Sequence, residues 1–497
     1  MSSAPSEPGA PHAAPPAPAP DLLLGKASRA LGWSLGNTIA SRLGTLLIGV
    51  VLARVLGPDE FGVFAIATVT LLAVLSFNEL GVSLAVVRWR EDPARIAPTI
   101  NTISVASSVL LTGATLLAAP GIAAALGDVR ATAVIRVLAL SILLNGLVAT
   151  PAAVLQREFM QRERAVADQV NTWLGAGLSL AFALLGWGAM SLAAGRLVAS
   201  AVFALMIWRY SPVPYRFGWD RATAGRLVRF GLPLAASSIV VFAAGYADQF
   251  VVAAALDPRA LGFYVLAFNL ASWPVSIFSQ PLRSVAPATF SALKERPADM
   301  ARGFERILAV LSCVALPACL AISGAAPAVV AFVYGEEWAP AADVLLWLAA
   351  FAALRIWFEL AYDFLVVHGR SGLVLVIQAM TFVVSLPAML LAVRWEGEAG
   401  VAAAQAVVGL IVGVPMYAWS LRRTGLALRA LLASVWLAVA ASLLVWVAAS
   451  SLSGIAGGGF LAAAAGALLA VGAVCALGWL HRAELRAMRT AMKAGAA

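Results

Sequence analysis

The chain has 497 residues, of which 62% are hydrophobic and only 12% charged, and its mean hydropathy is +0.91. A soluble domain carries roughly a quarter charged residues, so this chain cannot clothe itself in a water-facing shell. Its net charge of +9 does not point to nucleic acid, because the basic residues sit in short loops at the edges of apolar runs.

Residues 1–20 are rich in Pro, Ala and Ser without apolar periodicity, a disordered cytoplasmic tail is expected over 1–25, and no signal-peptide core follows promptly. Apolar runs then recur at about 31–53, 61–87, 96–119, 131–153, 165–186, 190–209 and 227–254. They continue at about 262–290, 305–333, 341–366, 371–393, 399–421, 428–450 and 457–480. Each is long enough to cross the hydrocarbon core as helix, which takes about 20 residues. The runs are continuous and rich in Ala and Leu, not alternating, so strands of a barrel are disfavoured. The expected fold is all-α and polytopic, with about 14 transmembrane helices.

A short repeat organises these helices. Leu56-Gly57-Pro58-Asp59-Glu60-Phe61-Gly62 returns 200 residues later as Leu256-Asp257-Pro258-Arg259-Ala260-Leu261-Gly262, with an aromatic following in both copies. Gly and Pro punctuate helices, so each copy reads as the tight connection in the first hairpin of a duplicated unit. The predicted domains are a six-helix lobe over 26–210, a cytoplasmic linker over 211–226 and a second six-helix lobe over 227–425. A terminal helix pair (426–481) and a basic cytoplasmic tail (482–497) follow.

Charge supports this arrangement. With the N-terminus inside, 25 of the 34 Lys and Arg residues fall in inner loops and tails, while outer loops hold only Arg54, Arg130, Arg259 and Arg394. Positive residues resist translocation, so both termini are expected on the cytoplasmic side of the inner membrane.

Five arginines remain at membrane depth: Arg42, Arg136, Arg196, Arg283 and Arg355, against the acids Glu79, Asp248, Glu359 and Asp363. Intramembrane charges normally face a bundle interior or an aqueous cavity. Snorkelling to the interface would explain Arg136, Arg196 and Arg283 equally well, whereas Arg42 and Arg355 lie near mid-span. Arg355 and Glu359 share a helix face with Tyr362 and Asp363, which fits either a structural salt bridge or a charged cavity wall. Over 262–290 a polar stripe of Asn269, Ser272, Ser276, Gln280 and Arg283 accompanies Pro274, Pro281 and Pro287, which should kink the helix. Ser34, Thr38, Ser41, Arg42 and Thr45 form a smaller stripe that ordinary helix packing would also explain. Asp248, Glu79 and Asp363 are candidate proton or sodium sites, although an acid paired to an arginine looks the same in sequence.

No catalytic constellation, phosphate-cradling loop, metal-ligand cluster or cofactor motif is present in the sequence. Cys313, Cys319 and Cys475 all lie inside apolar runs and read as small core side chains.

Several pieces together resemble the polysaccharide and lipopolysaccharide exporters of the multidrug/oligosaccharidyl-lipid/polysaccharide exporter superfamily, in particular the colanic-acid-exporter-like branch. They are Leu56 to Gly62 with Asn78-Glu79-Leu80-Gly81, then Leu155-Gln156-Arg157-Glu158-Phe159. Leu261-Gly262-Phe263-Tyr264 follows, leading through Asn269 and Pro274 to Gln280-Pro281-Leu282, and last comes Tyr334-Gly335-Glu336-Glu337-Trp338. The resemblance implies a flippase that moves undecaprenyl-pyrophosphate-linked oligosaccharide by alternating access through a cationic cavity between its lobes, not an enzyme. Its partners would be lipid-linked oligosaccharide, membrane lipid, H+ or Na+, and polysaccharide polymerase and chain-length machinery. On depth and charge, Arg42, Asn269, Ser276, Gln280, Arg283, Arg355 and Glu359 are the candidate substrate contacts. An ion-coupled drug antiporter of the same superfamily is the alternative, and a membrane polysaccharide polymerase or ligase a more distant one.

Overall fold

The computed structural model describes residues 20–76, 82–89, 91–279, 290, 297–455 and 459–480, with the backbone alone for 20–43, 45–47, 237, 240, 278, 297–298 and 455; no strand occurs among them. Helix α1 (Pro20–Leu75) is interrupted at Gly57, whose φ of 71° lies in the left-handed region open to glycine. After α2 (Leu84–Arg88) come α3 (Pro93–Ala125), α4 (Ala131–Arg157), α5 (Gln161–Leu184) and α6 (Ala189–Tyr210). The second half opens with α7 (Arg221–Ala255) and α8 (Pro258–Pro274), and a π-helical turn, Val275–Ser279, extends α8 directly after Pro274. Beyond lie α9 (Pro297–Gly324), α10 (Ala326–Tyr334), α11 (Ala341–Val367) and α12 (Ser371–Val408), the last broken at Glu396 and Gly397. The chain closes with α13 (Val414–Arg422), α14 (Leu428–Ile455) and α15 (Phe460–Leu480).

Ten helices among the described residues are long and apolar enough to cross a membrane, eleven if the bent pair within α7 counts as one span. The polytopic helical class is therefore as the composition predicts.

The two copies of the repeat break their helices differently. Gly57 uses backbone freedom, whereas in the second copy Asp257 caps α8, its Oδ1 accepting from Ala260 N at 2.8 Å, with Pro258 in the first turn. Both breaks lie at one end of the bundle and meet there. Gly62 packs against the Pro258 carbonyl, and Gly262 against that of Pro58, so each half's glycine receives the other half's proline turn. Around this contact runs a single hydrophobic core shared by both halves, in which Ala53, Ile66 and Leu138 pack with Leu261, Tyr264 and Leu345. Trp338 is buried in it, edge-on to Phe61 at 5.5 Å and to Phe263 at 5.9 Å. Arg54 closes the rim by donating from Nε to the Val333 carbonyl at 2.8 Å, and also to that of Phe332.

Away from this junction lie further, smaller cores. One contains Phe304, Ile356, Phe364 and Leu431, another Val86, Ile100 and Leu227. The first turns of α7 thus root the second half in a core of the first, while Phe304, Ile356 and Phe364 pack with second-half residues alone.

Residues 211–220 lie along the first half. Asn101 Nδ2 donates to the Arg216 carbonyl at 2.8 Å, and Thr102 Oγ1 to that of Gly218 at 2.8 Å. Arg226 at the start of α7 then pairs with Glu91 and lies over the Trp89 ring, 5.1 Å from its centroid. The hydrogen bond from Arg226 holds the Glu91 carboxyl below its ordinary range.

Cys313 and Cys319 are buried as expected, but Cys475 is exposed, which corrects the core assignment for that residue. Its helix turns Leu461, Leu468 and Val471 outward as well, so in a bilayer this surface meets lipid and an apolar run need not mean a protein core.

Candidate functional site

The cavity that holds intramembrane charge has a volume of about 940 Å³ and lies within the second half, between α7, α8, α11 and α12. A cavity between the halves was expected; among the described residues this one is lined by the second half alone.

Arg355 and Glu359 both reach the cavity from α11. Four residues apart on a helix, they share one face and meet, Arg355 Nε lying 3.2 Å from Glu359 Oε1. Ser279, at the end of the π turn, donates from Oγ to Glu359 Oε2 at 2.6 Å. The Arg355 side chain is 45% exposed and that of Glu359 16%, so the pair stands at the wall with its guanidinium towards the open side. Their charges cancel. A lone charge at this depth would be costly, and pairing lowers that cost.

Asp248 lies behind the same wall. It is 1% exposed, and its Oδ2 accepts from the Tyr264 hydroxyl at 2.9 Å while Oδ1 accepts from Gln249 N at 2.9 Å. Asp363, one turn beyond Glu359, is also buried. Asn269 is exposed and Ser276 half-buried, and neither lines the cavity. In α8 the hydroxyls of Ser272 and Ser276 donate to the Phe268 and Ser272 carbonyls, so part of the expected stripe serves the helix's own backbone. Glu79, Gln280, Arg283 and the Arg42 side chain lie outside the described residues. Arg136 and Arg196 are exposed on the sides of α4 and α6.

The rest of the wall was not among the candidates. Gln378, Thr381 and Ser385 of α12 follow each other at helical spacing and line the cavity from one face. Gln405 joins them, and its Oε1 is buried with no protein donor. Phe242 and Tyr246 of α7 stack with ring centroids 4.8 Å apart, and Phe358 of α11 stacks on Tyr417 of α13 at 5.0 Å. The three-and-four spacing of the α12 residues was visible in the sequence. The aromatics carried no such mark among so many apolar neighbours.

The chain's relatives place this architecture. A family profile described as "Polysaccharide biosynthesis protein" matches residues 51–343, more than half of the chain and parts of both halves.

The chain belongs to that family.

Among curated proteins it is similar to the succinoglycan biosynthesis transport protein ExoT of Rhizobium meliloti, at 25% identity over 65% of each chain, so it spans just under two thirds of that relative. It is also similar to the lipopolysaccharide biosynthesis protein WzxC of Escherichia coli, at 24% identity over 82% of this chain and 83% of that one. Among solved structures, the lipid II flippase MurJ in its inward closed conformation superposes with a TM-score of 0.73 at 13% identity, over 90% of this chain and 98% of MurJ. An inward-facing multidrug transporter of the MATE family gives a TM-score of 0.63 at 17% identity, over 78% and 95% of the two chains. This member of the polysaccharide biosynthesis family thus has the polytopic helical fold of the MurJ and MATE transporters.

Proposed function

We propose that the protein is a flippase for lipid-linked oligosaccharide, carrying an undecaprenyl-pyrophosphate-linked precursor of a surface polysaccharide across the cytoplasmic membrane by alternating access. The observation that carries this reading is the family match across both halves, 51–343. The architecture supports it: both halves share one core at the junction end, while a further core is built from the second half alone. On the charge distribution the junction end faces outward and both termini inward. The lipid tail stays in the bilayer while the pyrophosphate and sugars pass through the protein.

Arg355 is the described cation placed to meet a phosphate oxygen, because its guanidinium stays charged and forks onto such groups. It does so by exchanging Glu359 for the phosphate. Asp248, Asp363 and Glu79 are the acids available for a coupling H+ or Na+. No step makes or breaks a covalent bond.

The test is reconstitution in vesicles with a fluorescent undecaprenyl-pyrophosphate oligosaccharide, following its appearance on the far leaflet with a lectin. Wild type should flip it, and Arg355→Ala and Arg42→Ala should each lower the rate while inserting normally. Extension of the glycan by the purified protein would identify a polymerase. Efflux of ethidium with no glycolipid movement would identify a drug antiporter. Either result overturns the reading.

A further inference from the structure

We infer that the cavity in the second half is a seat for uncharged sugar rings, and that its two aromatic stacks, Phe242/Tyr246 and Phe358/Tyr417, are the surfaces on which those rings lie. This rests on the flippase reading for its biological meaning, but its physical argument is independent of it.

The argument begins with what the wall lacks. Arg355 and Glu359 are the charged residues that line the cavity among those described, and they neutralise each other at 3.2 Å. A phosphate can engage Arg355 only at the open side and only by displacing Glu359, so the wall beyond that pair is built for uncharged groups. The other polar groups on the wall, Gln378, Thr381, Ser385 and Gln405 among them, are uncharged and offer both donors and acceptors. That matches a rim of hydroxyl groups. An acyl chain would have no use for them, and burying them against hydrocarbon would be unfavourable.

The second observation is the rings. A pyranose has an apolar face of C–H groups and a polar edge, so it packs flat on an aromatic ring while its hydroxyls reach sideways. The negative face of the ring attracts those C–H groups. Phe242 and Tyr246 stack at 4.8 Å with 26° between their planes, and Phe268 of α8 adjoins Tyr246 at 6.4 Å. Phe358 is backed by the buried Tyr417 at 5.0 Å and 17°, so its orientation is fixed by packing. Half-buried aromatic rings on two different helices thus line the cavity, with an amide and hydroxyl stripe from α12 beside them. The third observation is Gln405 Oε1, a buried acceptor on this wall with no protein donor, which a sugar hydroxyl can satisfy.

The volume allows it. About 940 Å³ is at the upper end of small-molecule sites, enough for a short oligosaccharide and not for a long polymer.

The experiment uses the purified full chain in detergent and neutral soluble oligosaccharides (maltohexaose, cellohexaose and a galacto-oligosaccharide) as probes, read by saturation-transfer NMR. At least one probe should show transfer to its ring C–H protons. Tyr246→Leu and Phe358→Leu, which keep apolar bulk, should each weaken that binding by roughly fivefold to tenfold, as expected for one lost ring contact. Tyr246→Phe should restore it. The NMR chemical shifts of methyl-labelled methionines report whether the variants keep the native fold. Absence of transfer from every probe overturns the inference, as does transfer that survives both leucine variants. Because the probes carry no lipid or phosphate, the outcome is separable from the transport assay. Sugar binding without glycolipid flipping would refute the flippase reading alone, and flipping that proceeds at full rate in both leucine variants would refute the sugar seat alone.

Discussion

Substituting Gly62 by alanine tests the junction most directly. A Cβ built on Gly62 would lie 1.9 Å from the Pro258 carbonyl oxygen, where ordinary contact begins at 3.4 Å. The halves must therefore separate by about 1.5 Å at that point, and because the obstructing atom is backbone, no side-chain rotation relieves it. Overpacking of this kind costs about 1–3 kcal/mol. Alanine also favours helix over glycine by about 1 kcal/mol, but that gain is equal whether the junction is open or shut and does not change their ratio. The population of the shut state should fall by roughly 5- to 150-fold relative to the open one. Spin labels at Val129→Cys and Trp395→Cys, one in each half and both exposed, report the separation by pulsed electron resonance in a Cys475→Ser background. Gly62→Ala should add a longer distance component. Gly262→Ala should do so less, since its Cβ would meet Pro58 oxygen at 2.7 Å, and Gly113→Ala, with nothing within 4 Å, should do nothing. An unchanged distance distribution in a folded Gly62→Ala protein would refute the idea that this contact holds the two halves shut.

Arg54→Ala removes two hydrogen bonds from a charged donor to the Phe332 and Val333 carbonyls, and should shift the same distance distribution outward, with a cost of about 1.5–3 kcal/mol. Tyr264→Phe deprives buried Asp248 of its hydroxyl donor and should lower thermal stability in detergent by about 1–3 kcal/mol, whereas Asp248→Asn, which can still accept that bond, should cost less. The Glu91 carboxyl is held down in the folded protein, so its attachment to Arg226 is fully present above its ordinary value of 4.5 and is lost as pH falls below it. Proteolysis in the 211–220 stretch should therefore accelerate below about pH 4.5, and Arg226→Ala should remove that dependence.

The membrane class was legible because apolar length is a local property, written continuously in the chain. The repeat was legible as well, and it marked where the halves meet. Nothing in either copy revealed that Gly62 and Gly262 face each other's proline turns, since contacts between distant segments leave no periodic trace. Arg355 and Glu359 paired as their spacing allows. That Ser279 joins them from a π-helical turn was not visible, because the extra residue in the turn rotates the register beyond Pro274. The uncharged wall of α12 was overlooked for a simpler reason: attention went to ionisable residues, and Gln378, Thr381 and Ser385 stand out only once α12 is known to border a void.

Helix α7 belongs to both lobes at once. Its first turns, with Ala224 and Leu227, are rooted in the core of the first half, while Val251 and Val252 sit in the core that the halves share. Between them the helix bends by 40°, from Arg221–Ala236 to Val241–Ala255, and the residues just past the bend carry Phe242 and Tyr246. On the proposed flippase reading, rocking of one lobe on the other would bend the chain here, since Arg216 and Gly218 before it are held to the first half by Asn101 and Thr102. Fulcrum and chamber wall would, on that reading, be one piece of helix, so a tilt would reshape the surface that carries Phe242 and Tyr246.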